Sequence, residues 1–530
     1  MLNEPTQQEL ASIKILFTQG RLKEVLSAAN LMLKHFPKSV FLYNILGATN
    51  AGLKNFDSAI ANYKKAIKIK PDFADAFNNI GAAYKSKGNF LRAIENYKHA
   101  TKINPKLTQA YNNIGNIYQE RGELNLAIEN YKKAIKIKPD FAEAHNNIGN
   151  VLRANGDLQK AIESYDIATK INSLYSEAFS NKGNTFRSMG KLEKAIECYN
   201  QAIKINPGFA EAYNNMGNVY KSAGKQDKAI KNYKQAINLK SNFTEAYNNM
   251  GNALMKNGDL QHSKEAFQKA MKIEPENLDS IFGFGLVCKK LGFLHEAGLA
   301  FKKVLEKDRK DLRGTTLQMA TLGMIDVPDK TPKDHLKSFY KNKSIGWGKS
   351  KESYFGNELI KLAIKETIPK GSVNKILDLG CGTGSLAKFL SGYTKVLDGV
   401  DLSEDMLSKA KSTYLYNNLY ETDLIKFLNK TKTTYDLILV AATLIHFKKL
   451  DEIFSLIHNK LNNEGKFVFS VFDTSKADFE LNEFQMFSHS KPYIKKIYEK
   501  LSFISCYTKR SIHEYHGKDP VYANIFVLEK

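Results

Sequence analysis

The chain has 530 residues, 43% apolar and 25% charged, a composition that suits several domains of roughly 100–200 residues each and excludes one compact core. Its four cysteines, Cys198, Cys288, Cys381 and Cys506, lie far apart with no CxxC pair or histidine cluster, which points away from a disulfide framework and a zinc site. The net charge of +23 sits almost wholly in residues 1–350, with 53 Lys and Arg against 33 Asp and Glu, whereas residues 351–530 carry 25 against 22. Without interleaved aromatics this excess reads as a solvated outer face rather than a nucleic-acid groove.

The N-terminus lacks a basic stretch followed by an apolar one, and nowhere do about 18 apolar residues run together. The expectation is a soluble, cytoplasmic protein with no membrane span and no metal. Pro37, Pro71, Pro105, Pro139, Pro207 and Pro275 fall on one 34-residue lattice, and Ser173, Ser241 and Arg309 fill its other points. Before most of these points an aromatic recurs at 8 places, small residues at 12 and 5, and glycines at 24 and 17, as in Tyr97, Ala93, Ala100, Gly81 and Gly88 before Pro105. Two antiparallel helices that approach closely, turn at the second glycine and stop at the proline need that pattern. Lysine sets such as Lys64, Lys65, Lys68 and Lys70 close a helix just before a proline, where cations complement the helix dipole. The pattern resembles the tetratricopeptide repeat and implies an all-α superhelical solenoid of about nine units over residues 1–311.

In each first helix, residues such as Phe77, Ile80, Gly81 and Tyr84 share the packing face. The opposite face carries amides in register, Asn79, Asn113, Asn147, Asn181, Asn215 and Asn249, with Asn116, Asn150, Asn184, Asn218 and Asn252 three places on. An amide both donates and accepts, so a row of them clamps the backbone of an extended peptide. The row resembles the asparagine ladder of O-GlcNAc transferases, which implies a protein or peptide partner; the alternative is that these amides share hydrogen bonds between adjacent helices.

Residues 312–350 show no clear period and read as a linker. From 351 to 530 strands alternate with helices, the pattern of a parallel, doubly wound α/β domain. A first strand ends in Asp378-Leu-Gly380-Cys381-Gly382-Thr383-Gly384, whose glycines allow a tight turn and close backbone approach to a ligand. It departs from the G-x-G-x-x-G of dinucleotide sites. A second strand ends in Asp401, 23 residues on, where a carboxylate accepts both ribose hydroxyls or merely caps a turn. A fourth strand runs from Tyr435 to Val440 and a fifth covers GKFVFSVFD. SFISCYTKRS and NIFVLEK close the sheet as an antiparallel pair.

The glycine loop, the phrase GVDLSEDML, Asp423 in YETDLI and the fourth-strand motif resemble, in order and spacing, the Rossmann-like class I S-adenosylmethionine-dependent methyltransferases. The whole arrangement resembles bacterial methyltransferases that carry tetratricopeptide repeats, as does the segment from Met486 to Phe503. The resemblance implies S-adenosyl-L-methionine as cofactor, held by Asp378, Gly380, Cys381, Gly382, Thr383 and Gly384 at its methionine part. It implies Asp401 and Leu402 at the ribose, Asp423 and Leu424 at the adenine, and Val440 and Ala441 beneath its amino end. His446 is the candidate general base for an oxygen acceptor, or a structural histidine of that motif; His489 and Tyr493 are further candidates. Tyr340 and Trp347 either cover the cofactor or pack. The expected function is a methyltransferase whose solenoid recruits a partner or acceptor; the alternative is an interaction scaffold that binds cofactor without turnover. The acceptor is unknown, and a glycosyltransferase is excluded by the short C-terminal domain and its loop.

Overall fold

The computed structural model describes residues 4–344, 354–516 and 519–530. It divides into two compact units, Met1–Asn257 and Gly258–Lys530. Among the described residues no helix is long and apolar enough to cross a membrane.

The first unit is helical throughout. It opens at Gln7–Thr18, where Thr6 and Glu9 form a capping box that satisfies two backbone N–H groups the helix leaves unpaired. Consecutive pairs follow the 34-residue lattice, for example Ala74–Ser86 with Phe90–Ile103 and Thr108–Glu120 with Leu124–Ile137. The lattice glycine and tyrosine prove to be two halves of one contact. A Cβ added at Gly81 would lie 2.7 Å from the ring of Tyr97, and the same collision recurs between Gly115 and Tyr131, Gly149 and Tyr165, Gly183 and Tyr199, and Gly217 and Tyr233. The bare glycine backbone lets a buried phenol ring pack directly against the partner helix, at the close-packed density that interiors require. The second lattice glycine holds the turn: Gly88 and Gly122 sit at φ of 75° and 76°, which a β-carbon disfavours.

The second unit begins with the helix Leu260–Ile273 and the pair Leu278–Lys290 and Leu294–Lys307. The described part of the stretch expected to be a linker, residues 312–344, is built into this unit instead. Asp311 caps the short helix Thr315–Thr321, accepting from the Thr315 and Thr316 N–H groups at 2.5 and 3.1 Å. Arg313 spans Asp279 and Asp308, and Lys289 donates to Gln318 and Thr321. Further on, backbone groups of residues 327–331 bond to residues 446–448: the Lys448 N–H donates to the Asp329 carbonyl at 2.8 Å, and the Thr331 N–H to the His446 carbonyl at 2.9 Å. Contacts of this kind leave no periodic signature, so composition alone reads the stretch as loop.

The sheet runs β3 (Asn418–Glu421), β2 (Val396–Asp401), β1 (Lys375–Leu379), β4 (Tyr435–Val440), β5 (Leu461–Asp473), β7 (Phe487–His489), β6 (Phe479–Leu481). Strands β3 to β5 pair in parallel, while β9 (Asp519–Glu529) lies antiparallel to both β5 and β8 (Ile504–His516). The central strands are buried on both faces, which is why they read as continuous apolar runs. Strand order reverses between β1 and β4, so a crevice opens at their carboxyl ends.

Candidate functional site

A cleft enclosing about 1250 Å³, open space included, lies in that crevice. The glycine loop leaves β1 with Gly380, Gly382 and Gly384 all at positive φ. A Cβ at Gly380 would strike Thr443, and one at Gly384 would meet the Tyr416 ring and the Ala410 backbone, whereas one at Gly382 would meet nothing within 4 Å. The first and third glycines therefore serve close packing, and the middle one exposes bare backbone to the cleft. Gly380 and Cys381 donate their N–H groups to the Val400 carbonyl at 2.7 and 3.1 Å, fastening the loop to β2.

Asp401, at the end of β2, accepts from the Gly382 N–H at 2.9 Å and the Ser403 N–H at 2.9 Å. It thus caps the turn and also lines the cleft. Burial pushes its carboxyl above the ordinary range, partly offset by those backbone hydrogen bonds. Asp378 is 2% exposed and accepts from the Tyr416 hydroxyl at 2.8 Å. Burial pushes its pKa up to about 7, with the Tyr416 bond pulling the other way and Asp401 adding to the rise. Asp423 caps the helix Leu424–Lys430, accepting from the Ile425 and Lys426 N–H groups, with Lys330 Nζ 3.8 Å away. The Cys381 thiol is buried and held well above its usual pKa, which makes it a poor nucleophile.

Asp378, Gly380, Cys381, Gly382, Thr383, Asp401, Leu402, Asp423, Leu424 and Ala441 all line the cleft. Gly384 and Val440 stand behind that lining; Val440 belongs to the core under the sheet. Ala442, next to Ala441, adopts φ of 54° with its N–H bonded to Ser470 Oγ, a left-handed non-glycine residue that no sequence pattern announced.

His446 closes a single 3₁₀ turn, is buried, and faces the cleft. Its Nε2 lies 2.8 Å from the Tyr340 hydroxyl and its Nδ1 3.5 Å from Thr331 Oγ1. The helix Lys333–Ser344 delivers Tyr340, whose phenol is pushed upward in pKa by burial. Trp347 lies outside the described residues. His489 and Tyr493, the other sequence candidates for acid–base work, do not line this cleft. His489 is fully buried, with Nε2 3.0 Å from the Phe447 carbonyl and 3.2 Å from that of Lys448, and burial lowers its pKa to about 4. Tyr493 accepts from the Leu450 N–H and donates to Asp451. Both brace the loop behind His446, a placement set by strand and helix packing that sequence spacing does not encode.

Residues 353–514 match a family model described as a methyltransferase domain. Residues 53–88, 83–122, 115–154, 183–224 and 217–258 match a TPR repeat model, and 142–175 and 244–277 match tetratricopeptide repeat models. The chain carries tetratricopeptide repeats and a methyltransferase domain. It is similar to an uncharacterized protein of Haemophilus influenzae, 32% identical over 22% of this chain and 48% of that protein. It is also similar to the protein named probable S-adenosylmethionine-dependent methyltransferase CRG1 of Saccharomyces cerevisiae, 28% identical over 24% of this chain and 46% of that one. The chain thus spans about half the length of these curated relatives. The solved structure of MamA is 34% identical, covering 31% of this chain and 95% of that chain at a TM-score of 0.28.

Within the tetratricopeptide repeats, the amide row is not a free face. Asn79, Asn113, Asn147, Asn181 and Asn249 are half-buried and donate through Nδ2 to Asn44, Asn78, Asn112, Asn146 and Asn214, each 35 residues earlier, at 3.0–3.3 Å. Asn116, Asn150, Asn184 and Asn218 accept from the buried hydroxyls of Tyr131, Tyr165, Tyr199 and Tyr233 at 2.7–2.8 Å. The expectation that the row lies off the packing face is therefore corrected: its donors tie successive helices together. A buried phenol needs a partner for its hydroxyl, and the amide that directly follows the contacting glycine supplies it.

Proposed function

We propose that this protein transfers a methyl group from S-adenosylmethionine to an acceptor held in the same cleft, and that its repeats hold a protein or peptide partner. The observation that carries the reading is Asp378, a buried carboxyl whose hydrogen bond comes from a neutral phenol and whose neighbour Asp401 bears a like charge. An ammonium group is what such a carboxyl takes, and the bare backbone at Gly382 admits the rest of an amino-acid moiety. Asp401 and Leu402 hold the ribose in this reading, Asp423 and Leu424 the adenine, and Ala441 the floor. Bound, the cofactor supplies a methyl group on a sulfonium sulfur. The chain's part is then to exclude water and orient the acceptor, with His446 as the base for a hydroxyl proton when the acceptor is an oxygen. The exposed edges of Asn79, Asn113, Asn147, Asn181, Asn215 and Asn249 are the surface proposed for the partner.

Calorimetric titration of the full chain with S-adenosylhomocysteine tests the cofactor reading. Micromolar binding without added metal, weakened at least about tenfold in Asp401→Ala through loss of charge-assisted hydrogen bonds, is the expected result. Equal affinity in that variant refutes it.

A further inference from the structure

Past the residues assigned to the cofactor, the cleft continues over an apolar wall of Ile445, Phe472 and Met486, faced by Tyr340, Tyr354 and His513. His513 comes from β8 and is 1% exposed. The rings of Tyr354 and Phe472 meet it edge to face, with centroids 5.1 and 5.2 Å away. Among the described residues neither of its ring nitrogens has a hydrogen-bond partner. Buried polar groups are nearly always bonded, so an imidazole with both nitrogens unmet on the wall of a cleft marks a place where a ligand supplies the partner.

The chemistry of that ligand follows from the surroundings. Burial lowers the pKa of His513 to about 4, so near neutral pH the ring offers one N–H donor and one bare nitrogen. A hydroxyl meets whichever of the two faces the cleft, accepting from the N–H or donating to the bare nitrogen. A charged group of either sign would lose its hydration among Phe472, Met486 and Ile445, and a carboxylate would also face Glu514 on the same lining. Among the described residues the cation of this lining, Lys337, is paired with Glu421 at 3.1 Å. The aromatic surface that Tyr354, Phe472 and His513 give this part of the lining favours an aromatic body.

We infer that His513, Tyr354, Phe472 and Met486 form the subsite for the methyl acceptor, and that it takes a small, flat, uncharged molecule carrying a hydroxyl, of the phenol class. This rests on reading the adjoining cleft as the S-adenosylmethionine site. His513 acts here as a binding group, since its low basicity suits hydrogen bonding and not proton uptake.

The test uses the full chain saturated with S-adenosylhomocysteine and three probes of one shape, 4-methylphenol, 4-methylbenzoate and 4-methylbenzylamine. Affinities come from calorimetry, and imidazole ¹⁵N shifts report on His513. The phenol should bind at least about tenfold tighter than either charged probe and move the His513 resonances, since charge is poorly tolerated in an apolar wall. His513→Phe should lose about tenfold for the phenol while S-adenosylhomocysteine affinity stays within about twofold, and His513→Gln, which keeps a donor and an acceptor, should recover most of the loss. Phenol binding unchanged in the Phe variant, preference for a charged probe, or no phenol binding at about 10 mM overturns the inference. Failure of S-adenosylhomocysteine itself to bind overturns the cofactor reading instead, so the two failures are told apart.

Discussion

Lowering the pH from 7 to 5 should weaken S-adenosylhomocysteine binding about 50-fold, through Asp378 alone. Burial raises this carboxyl to about 7 in the free protein. Its folded pKa thus lies above its unfolded value, so its favourable contribution to stability is present below about pH 4 and is lost as pH rises through 7. An ammonium beside it reverses that balance, because the ionised form then gains a partner. Half the molecules hold Asp378 ionised at pH 7 and about one in a hundred at pH 5, and that ratio gives the 50-fold change. The ligand's amino group, with a pKa near 8, stays charged throughout this window. Asp401, also raised by burial, steepens the loss at the acid end. Titration calorimetry at pH 5, 6 and 7, in buffers of different ionisation enthalpy, reads both the affinity and the proton released on binding. Asp378→Asn should bind weakly with little pH dependence. Affinities equal within about twofold at pH 5 and 7, or a variant with the same slope as the parent, would refute the reasoning.

Gly380→Ala must fit a methyl against Thr443 at φ of 80°, so both its melting temperature and its cofactor affinity should fall. Gly382→Ala meets no neighbour and should cost only about 1 kcal/mol of backbone strain, yet obstruct the ligand; calorimetry and thermal melts on both variants separate the two effects. In the repeats, replacing Asn147 and Asn181 by Ala removes the bonds to Asn112, Asn116 and Asn146, and should lower stability by about 1 kcal/mol per bond in chemical denaturation. An unchanged denaturation midpoint would restore the view that this face is free of structural work.

By itself the sequence determined whatever is set by residues near one another along the chain. The 34-residue lattice specified helix lengths, turns and the glycine–tyrosine contact, because a helix pair closes within 34 residues and its packing repeats at each turn of the pattern. The strand, glycine loop and helix around Asp378 to Gly384 were legible for the same reason, as was Asp401 at the end of the next strand. What only the tertiary structure decided was the partner of each polar group. Tyr416 reaches Asp378 from 38 residues away, Tyr340 reaches His446 across 106, and the amides bond to repeats 35 residues earlier. His489 and Tyr493, further candidates for acid–base chemistry, fold behind the loop, while His513, which no motif marks, arrives at the cleft on β8. Hydrogen-bonding capacity belongs to a residue type, but whether it is spent on the fold or left for a ligand depends on what packing brings within about 3 Å of it.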